Sequence, residues 1–189
     1  MIWVHWLRRK GLLSSAKGLE WYPPFLCMGV QVVAVSDDWR RVRLRLPLNW
    51  RTRNPGGSMF GGCMASLADP IAALSCSRVF PGYAVWTRAM SLDFRREGRG
   101  DLELRFDFDP ALEQEIRDQL AQRGRATPSF EYAYFNGDGK PCALVHNTVA
   151  IRSHHRHESG GALGRGKLPE SPPANPGGAG AQPIETEDN

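Results

Sequence analysis

The sequence predicts an α+β domain, mainly antiparallel strands around one buried helix, and three observations predict it. Residues 41–46 alternate arginine with an apolar residue, the period-2 mark of a half-buried strand. From Ser58 the apolar period lengthens to three or four for about twenty residues, as on a helix. After Pro81-Gly82 the strand pattern returns and holds to Arg152, with one short helical interruption.

The elements follow in order. Residues 30–35 form a short apolar run closed by the turn signal Ser36-Asp37-Asp38. The alternating strand 41–46 comes next, and Pro47 with residues 49–57 breaks it. The long helix has Ser58 as its expected N-cap. Phe60, Met64, Leu67, Ile71 and Leu74 make one large apolar stripe. Gly62, Ala65, Asp69, Ala72 and Cys76 make a second face of small residues plus one acid. Such a helix is expected to be largely buried, with something approaching its small side. Residues 84–95 read as a long strand. Residues 101–109 alternate Leu102, Leu104, Phe106 and Phe108 inward with charged residues outward. Residues 110–124 read as a short helix stopped by Gly124. The strands 129–135 and 142–152 are joined by the hairpin turn Asn136-Gly137-Asp138-Gly139.

Composition bounds the class. With 189 residues, 41% hydrophobic and 23% charged, the chain can bury a core without disulfides or metals. Cys27, Cys63, Cys76 and Cys142 form no C-x-x-C pair and no zinc spacing. They are read as reduced thiols, Cys63 and Cys76 buried on the helix, in a cytoplasmic compartment. Ile2, Trp3, Val4, Trp6 and Leu7 precede the basic run Arg8-Arg9-Lys10, the reverse of a secretory signal. No run of 18 apolar residues occurs, so no membrane span is expected. The expected organisation is a helical segment over 1–25 packed on the domain, the domain over 26–156, and a disordered tail over 157–189 rich in Gly, Pro, Ala and Glu. The His154-His155-Arg156-His157 cluster lacks a second group to complete a metal site, and no metal or cofactor is expected. Net charge is +4, and the tail is acidic, so the domain itself is basic and favours anionic ligands. Nucleic acid is a poor fit, because the arginines alternate on a strand without an aromatic stacking platform.

Asp69 stands out chemically. A carboxylate in the middle of a buried helix is costly unless it is hydrogen-bonded or functional. Pro70 follows it and removes a helix hydrogen bond, freeing the Ser66 carbonyl. The bland alternative is a helix break, with Asp69 capping a second segment begun by Pro70. Gly56-Gly57 and Gly61-Gly62 surround the helix start, where free N–H groups can hold an anion or oxyanion and glycine lets a ligand come close.

The stretch Phe60-Gly61-Gly62-Cys63-Met64-Ala65-Ser66-Leu67-Ala68-Asp69 resembles the central-helix signature of phenylacetate-pathway-type hotdog acyl-CoA thioesterases, which begins His-Gly-Gly and ends in an acid at this spacing. Ser91-Leu92-Asp93-Phe94-Arg95-Arg96 resembles the family's Asp-Phe-(x)-Arg strand, and the likeness covers roughly residues 26–152. The helix at 110–124 and the Ser-Met-Phe-Gly-Gly wording are similar to an uncharacterised bacterial branch. The resemblance implies a hotdog fold, an antiparallel sheet of about six strands wrapped around a long central helix. It also implies hydrolysis of an acyl-CoA or related thioester. The family's acid, a general base or nucleophile, falls on Asp69. Its asparagine falls on Asn54, its oxyanion amides on Gly61 and Gly62, and its water-orienting hydroxyl on Thr87. The family's histidine is Phe60 here, but the oxyanion donors are backbone groups and survive the change. Arg88 and Arg95, with Arg51 and Arg53, are candidates for coenzyme A phosphates.

The competing reading is a non-catalytic acyl-CoA or acyl-carrier binding module, which Phe60 favours. A hotdog dehydratase needs a histidine beside an acid. His5, His146, His154, His155 and His157 all lie away from the helix start in sequence. Strand 84–95 is expected at the sheet edge, pairing with a second copy to give a homodimer or, by doubling, a homotetramer. Arg41, Arg43 and Arg45 are expected to face the acids of strand 101–109 across a ladder.

Overall fold

The structure, a computed structural model, describes residues 16–153. Most of the expected N-terminal helical segment, the 154–157 histidine cluster and the tail from 157 lie outside the described residues.

A 3-10 turn (Ala16–Trp21) and a six-residue helix α1 (Pro23–Met28) open the described chain. Pro23 sits at the first helical position, where its missing N–H costs nothing, and Gly29 at φ +76° ends the helix in the left-handed region. Phe25 is buried, and the Glu20 carboxylate accepts a 2.7 Å bond from the Val32 N–H, so this segment is tied to the first strand.

Strands β1 (Gln31–Val35) and β2 (Arg41–Leu46) precede the long helix α2 (Gly61–Val79). Then come β3 (Tyr83–Phe94), β4 (Leu102–Asp107), helix α3 (Pro110–Arg123), a two-residue β5 (Arg125–Ala126), β6 (Ser129–Phe135) and β7 (Pro141–Ser153). The sheet order is β1-β2-β4-β6-β7-β3, with β5 pairing off β7, and every pair is antiparallel. This is the expected hotdog architecture. Its six long strands match expectation, and β5 makes a seventh.

The core is what the alternation dictates. Val42, Leu44 and Leu46 stand opposite Phe106, Leu104 and Leu102, and all six are buried. They face Leu67 and Ile71 of α2, also buried. Each such side chain is worth roughly 1.5–3 kcal/mol on burial. On the outer face Arg43 Nη2 reaches Asp107 Oδ2 at 2.7 Å and Arg41 Nε reaches Asp107 Oδ1 at 3.4 Å, while Arg45 stands opposite Glu103. The arginine face and the acids therefore share a ladder, as expected. Arg43 lies opposite Arg105, and that like-charge pairing is relieved because Arg105 turns to Glu103 and the Phe135 ring. Asp109 caps α3 by accepting from the Ala111 N–H, and Gly124 closes it at φ +61°.

The central helix differs from expectation in three ways. It begins at Gly61, not Ser58, with extended Phe60 as its N-cap and no side-chain cap. Ser58 is already engaged in a turn with Asn54. The helix also runs through Pro70 unbroken, so Asp69 caps no second segment. Lastly, Asp69 is exposed in the single chain rather than buried, as is Ser66, and Cys63 is only half-buried. The sheet wraps the other sides of the helix and leaves this strip open. Among the described residues no helix is long and apolar enough to cross a membrane.

Candidate active site at the start of the central helix

The loop from Pro47 to Phe60 fixes where α2 begins. Buried Thr52 donates its hydroxyl to the Pro47 carbonyl at 2.6 Å and accepts the Asn49 N–H at 2.9 Å. The Asn54 amide closes residues 54–58, accepting from the Ser58 N–H and donating to the Ser58 hydroxyl. Gly57 sits in that turn at φ +84°, which only glycine adopts freely. The Phe60 N–H donates to the Thr52 carbonyl and the Met59 N–H to the Gly98 carbonyl.

Beside this helix start lies a cavity of about 470 Å³, lined by Asn54, Gly61, Met64, Phe94, Arg95 and Arg96 among others. Cys63 and Met64 donate their N–H groups to the Phe60 carbonyl. Gly61 and Gly62, the first two helical residues, have no preceding turn to donate to. Both glycines let an aromatic ring lie against the helix start. A Cβ at Gly61 would meet the Phe94 ring at 3.0 Å, and one at Gly62 would meet the Phe60 ring at 2.4 Å. Phe60 and Phe94 are themselves more than half exposed, at 53% and 55%. The helix N-terminus is thus a polar spot framed by two accessible aromatic rings.

Two turns further along α2, about 10 Å at ~1.5 Å per residue, stands Asp69. Its peptide carbonyl takes two side-chain donors, Thr87 Oγ1 at 2.8 Å and Asn147 Nδ2 at 3.0 Å. Thr87 lies immediately before a β-bulge at Arg88, where the β3–β7 register shifts. Bulges re-aim side chains next to functional sites, and this one accompanies the turn of Thr87 toward the helix. Tyr132 donates to the Ala68 carbonyl at 2.7 Å and Tyr134 to the Met64 carbonyl at 2.6 Å. Burial pushes both phenols above the ordinary tyrosine range, so they remain protonated donors.

The expected residues therefore form two groups. Asn54, Gly61 and Arg95 line the cavity, with Gly62 next along the helix. Arg95 is ion-paired with Asp93. Asp69 and Thr87 meet at the middle of the helix. Arg88 is exposed at the bulge, Arg51 lies over the exposed Trp50 ring, and Arg53 bridges to Met59 across the loop. Neither these three nor Asp69 line the cavity. Among the described residues no cluster of His, Cys, Asp and Glu could hold a metal.

Sequence reading missed Asn147, Tyr132 and Arg96. The signal for the first was present. Asn147 occupies the inward register of β7 between Val145 and Val149, both fully buried, and is itself 0% exposed. A polar residue at an apolar parity position is the strand counterpart of an acid on a helix stripe.

Solved structures share the fold. A Pseudomonas aeruginosa protein of unknown function, described as a probable thioesterase, superposes with a TM-score of 0.67 at 24% identity, covering 75% of this chain and 95% of that one. A Haemophilus influenzae thioesterase does so with a TM-score of 0.58 at 18% identity, covering 75% and 91%. A mutant of a Staphylococcus aureus thioesterase does so with a TM-score of 0.52 at 15% identity, covering 66% and 94%. At these identities the likeness establishes the shared fold. No curated protein matches by sequence. Residues 10–150 match the family model described as a domain of unknown function, DUF4442, and the chain belongs to that family.

Proposed function

We propose that this protein is a thioester hydrolase acting on an acyl-CoA or a related carrier-bound acyl group, with the site arrangement of the phenylacetate-pathway-type enzymes in an uncharacterised bacterial branch. The observation that carries this reading is the open face of α2, with the N–H groups of Gly61 and Gly62 at its start and an accessible carboxylate at Asp69. Relatives of the same fold described as thioesterases support it.

The chemistry follows from the donors. The N-terminal amides hold the oxygen of the thioester carbonyl as it gains negative charge. Asp69 takes a proton from water as that water attacks the carbonyl carbon, or attacks directly as a nucleophile. In the first case the carbon–sulfur bond breaks as the proton held on Asp69 passes to the departing sulfur, releasing the acid and the free thiol. In the second the bond breaks to leave an acyl-Asp69 anhydride and a thiolate; water then hydrolyses the anhydride, releasing the acid, restoring the Asp69 carboxylate and supplying the proton that the thiolate takes up. The Thr87 hydroxyl hydrogen is committed to the Asp69 carbonyl, so its oxygen lone pairs are what it offers to the water. The Asn54 amide is half used by Ser58 and keeps one N–H for the substrate carbonyl. Arg95 and Arg96 at the cavity, and Arg88 on the edge, suit anionic phosphates.

A reacting carbonyl cannot span the ~10 Å between the amides and Asp69 of one helix. The reading therefore pairs the amides of one subunit with the acid of another. β3 lies at the sheet edge with Trp86 and Phe94 about half exposed, and joining two β3 strands about a two-fold axis continues the sheet. The working unit is a homodimer or a dimer of dimers. The domain spans 26–156 with a dispensable tail beyond it, and its place is the cytoplasm.

The second reading is a binding module without turnover. It rests on Phe60, whose ring packs on Gly62 where the family carries histidine. A panel of acyl-CoA chain lengths separates the two, with thiol release and calorimetric binding measured for wild type and Asp69→Asn. Hydrolysis lost by at least about 100-fold in a folded Asp69→Asn dimer supports the enzyme. Binding without any release in wild type supports the module.

A further inference from the structure

We infer that Asn147 is a positioning residue for Asp69: its buried amide, acting with Tyr132 and Thr87, fixes the helical turn before Pro70 so that the Asp69 carboxylate meets its target. This deepens the hydrolase reading and rests on it.

The orientation of the Asn147 amide is decided by its neighbours. The Asp69 carbonyl can only accept. The Tyr132 oxygen has spent its hydrogen on the Ala68 carbonyl, so toward Asn147 it too can only accept. Asn147 must turn its NH2 group to both, at 3.0 Å each. Its Oδ1 is left buried with no hydrogen-bond partner. An apolar side chain in this register would avoid that penalty, as Val145 and Val149 do on either side. What the amide achieves in exchange is geometric.

Pro70 explains why geometry is needed there. It offers no N–H to the Ser66 carbonyl, so the continuous helix lacks one backbone hydrogen bond in the turn that carries the acid. Three side chains from three strands then hold the two carbonyls just before it: Thr87 of β3, Tyr132 of β6 and Asn147 of β7. None of the three needs to touch substrate. Together they add three side-chain hydrogen bonds to the turn in which the proline leaves one backbone bond unmade.

The test compares Asn147→Leu and Tyr132→Phe with wild type in steady-state hydrolysis and thermal melting, with Asp69→Asn alongside. A displaced carboxylate costs rate rather than affinity. Asn147→Leu should therefore lose about 10-fold to 100-fold in kcat at near-constant KM, and its melting temperature should hold or rise because the orphaned oxygen is gone. Tyr132→Phe removes two bonds of the same network, to the Ala68 carbonyl and from Asn147, with no other change of shape, and should lose kcat in the same sense. It also serves as the measured variant if Asn147→Leu does not fold. A merely structural tie gives the opposite pattern, a lower melting temperature with wild-type kcat per folded molecule, and that overturns the inference alone. Full activity in Asp69→Asn, or no thioesterase activity in wild type, overturns the hydrolase reading and this inference with it.

Discussion

The two ends of the central helix are built differently. Toward its C-terminus Ile71, Ala72, Ser75, Cys76 and Val79 are all buried. Phe80, Phe106, Phe108 and Phe130 pack beyond them, with ring centroids 5.1–6.1 Å apart. Ser75 spends its hydroxyl on the Trp39 carbonyl at 2.6 Å, and burial pushes the Cys76 thiol up to about 12. Toward the N-terminus the same helix shows half-buried glycines, exposed Ser66 and Asp69, and two accessible aromatic rings. One end is packed on every side that these residues offer, while the other keeps an open strip. Sites that bind and react are drawn from such under-packed regions.

The sharpest way to break this contrast is to delete side chains at both ends. Phe106→Ala empties a fully buried ring site touching Phe108, Phe130 and Tyr132, and should cost about 3–5 kcal/mol in the denaturant-unfolding free energy. Ser66→Ala at the open end should change it by no more than about 0.5 kcal/mol. Comparable losses at both ends would mean that the face of Ser66 and Asp69 is covered in solution, and the contrast would fail. Asp69→Asn belongs with Ser66→Ala in stability, though in rate its loss corresponds to about 2.7 kcal/mol of barrier for 100-fold.

How much of this was legible in the sequence depends on which signal each residue carried. Strand 41–46, strand 101–109 and helix 110–124 were readable because alternation and capping are local, and β2, β4 and α3 fall where Arg43, Phe106 and Asp109 put them. Asp69, Gly61 and Gly62 could be singled out by residue type and spacing. The exposure of Asp69 could not, because a helix stripe of small residues reads the same whether a sheet or a second copy lies against it. Ser58 misled for a different reason. Its side chain had a nearer partner in Asn54, and competition between turn and cap is invisible in a linear pattern. The meeting of Thr87, Tyr132 and Asn147 at one turn of α2 depends on strands up to 78 positions away in sequence.

The closed end can be probed further through pH. Arg40, before β2, grips Glu113 of α3 through two 2.7 Å bonds, and Arg117 joins from the next turn. The Arg40 bond, then Arg117, hold the Glu113 carboxyl below the ordinary glutamate range. A depressed carboxyl contributes stability above its unfolded-state pKa and loses it as pH falls through the folded-state value. Arg40 is partly exposed, so solvent screening limits the contribution to about 1 kcal/mol. Glu113→Gln should lower stability by that amount at pH 7, and the gap should close in acid below the usual carboxylate range. A gap that is constant from pH 7 to pH 3 would show that the loss comes from packing, not charge.

Thiol chemistry gives a graded readout of the same contrast. Cys27 is exposed, Cys63 at the open end is half-buried, and Cys76 and Cys142 are buried. Burial raises the Cys63, Cys76 and Cys142 thiols above their usual range, which starves the reactive thiolate. Alkylation of the native protein should label Cys27 first, then Cys63, and reach Cys76 and Cys142 only on unfolding. Early loss of Cys76 would mean that the closed end opens.

The smallest expected effect lies on the outer face of the sheet. Asp107 there accepts from Arg43 at 2.7 Å and from Arg41 at 3.4 Å, with 58% of its side chain exposed. Exposed pairs contribute about 0.2–1 kcal/mol, and 1 M salt screens charges beyond ~3 Å. Arg43 is also anchored independently of its charge, since its Nη1 donates to the Phe106 carbonyl at 2.7 Å. A double-mutant cycle of Arg43→Ala and Asp107→Ala should therefore give a coupling within that range at low salt, and close to nothing at 1 M. A larger, salt-independent coupling would mean that this ladder is desolvated in solution and that the sheet's outer face is covered.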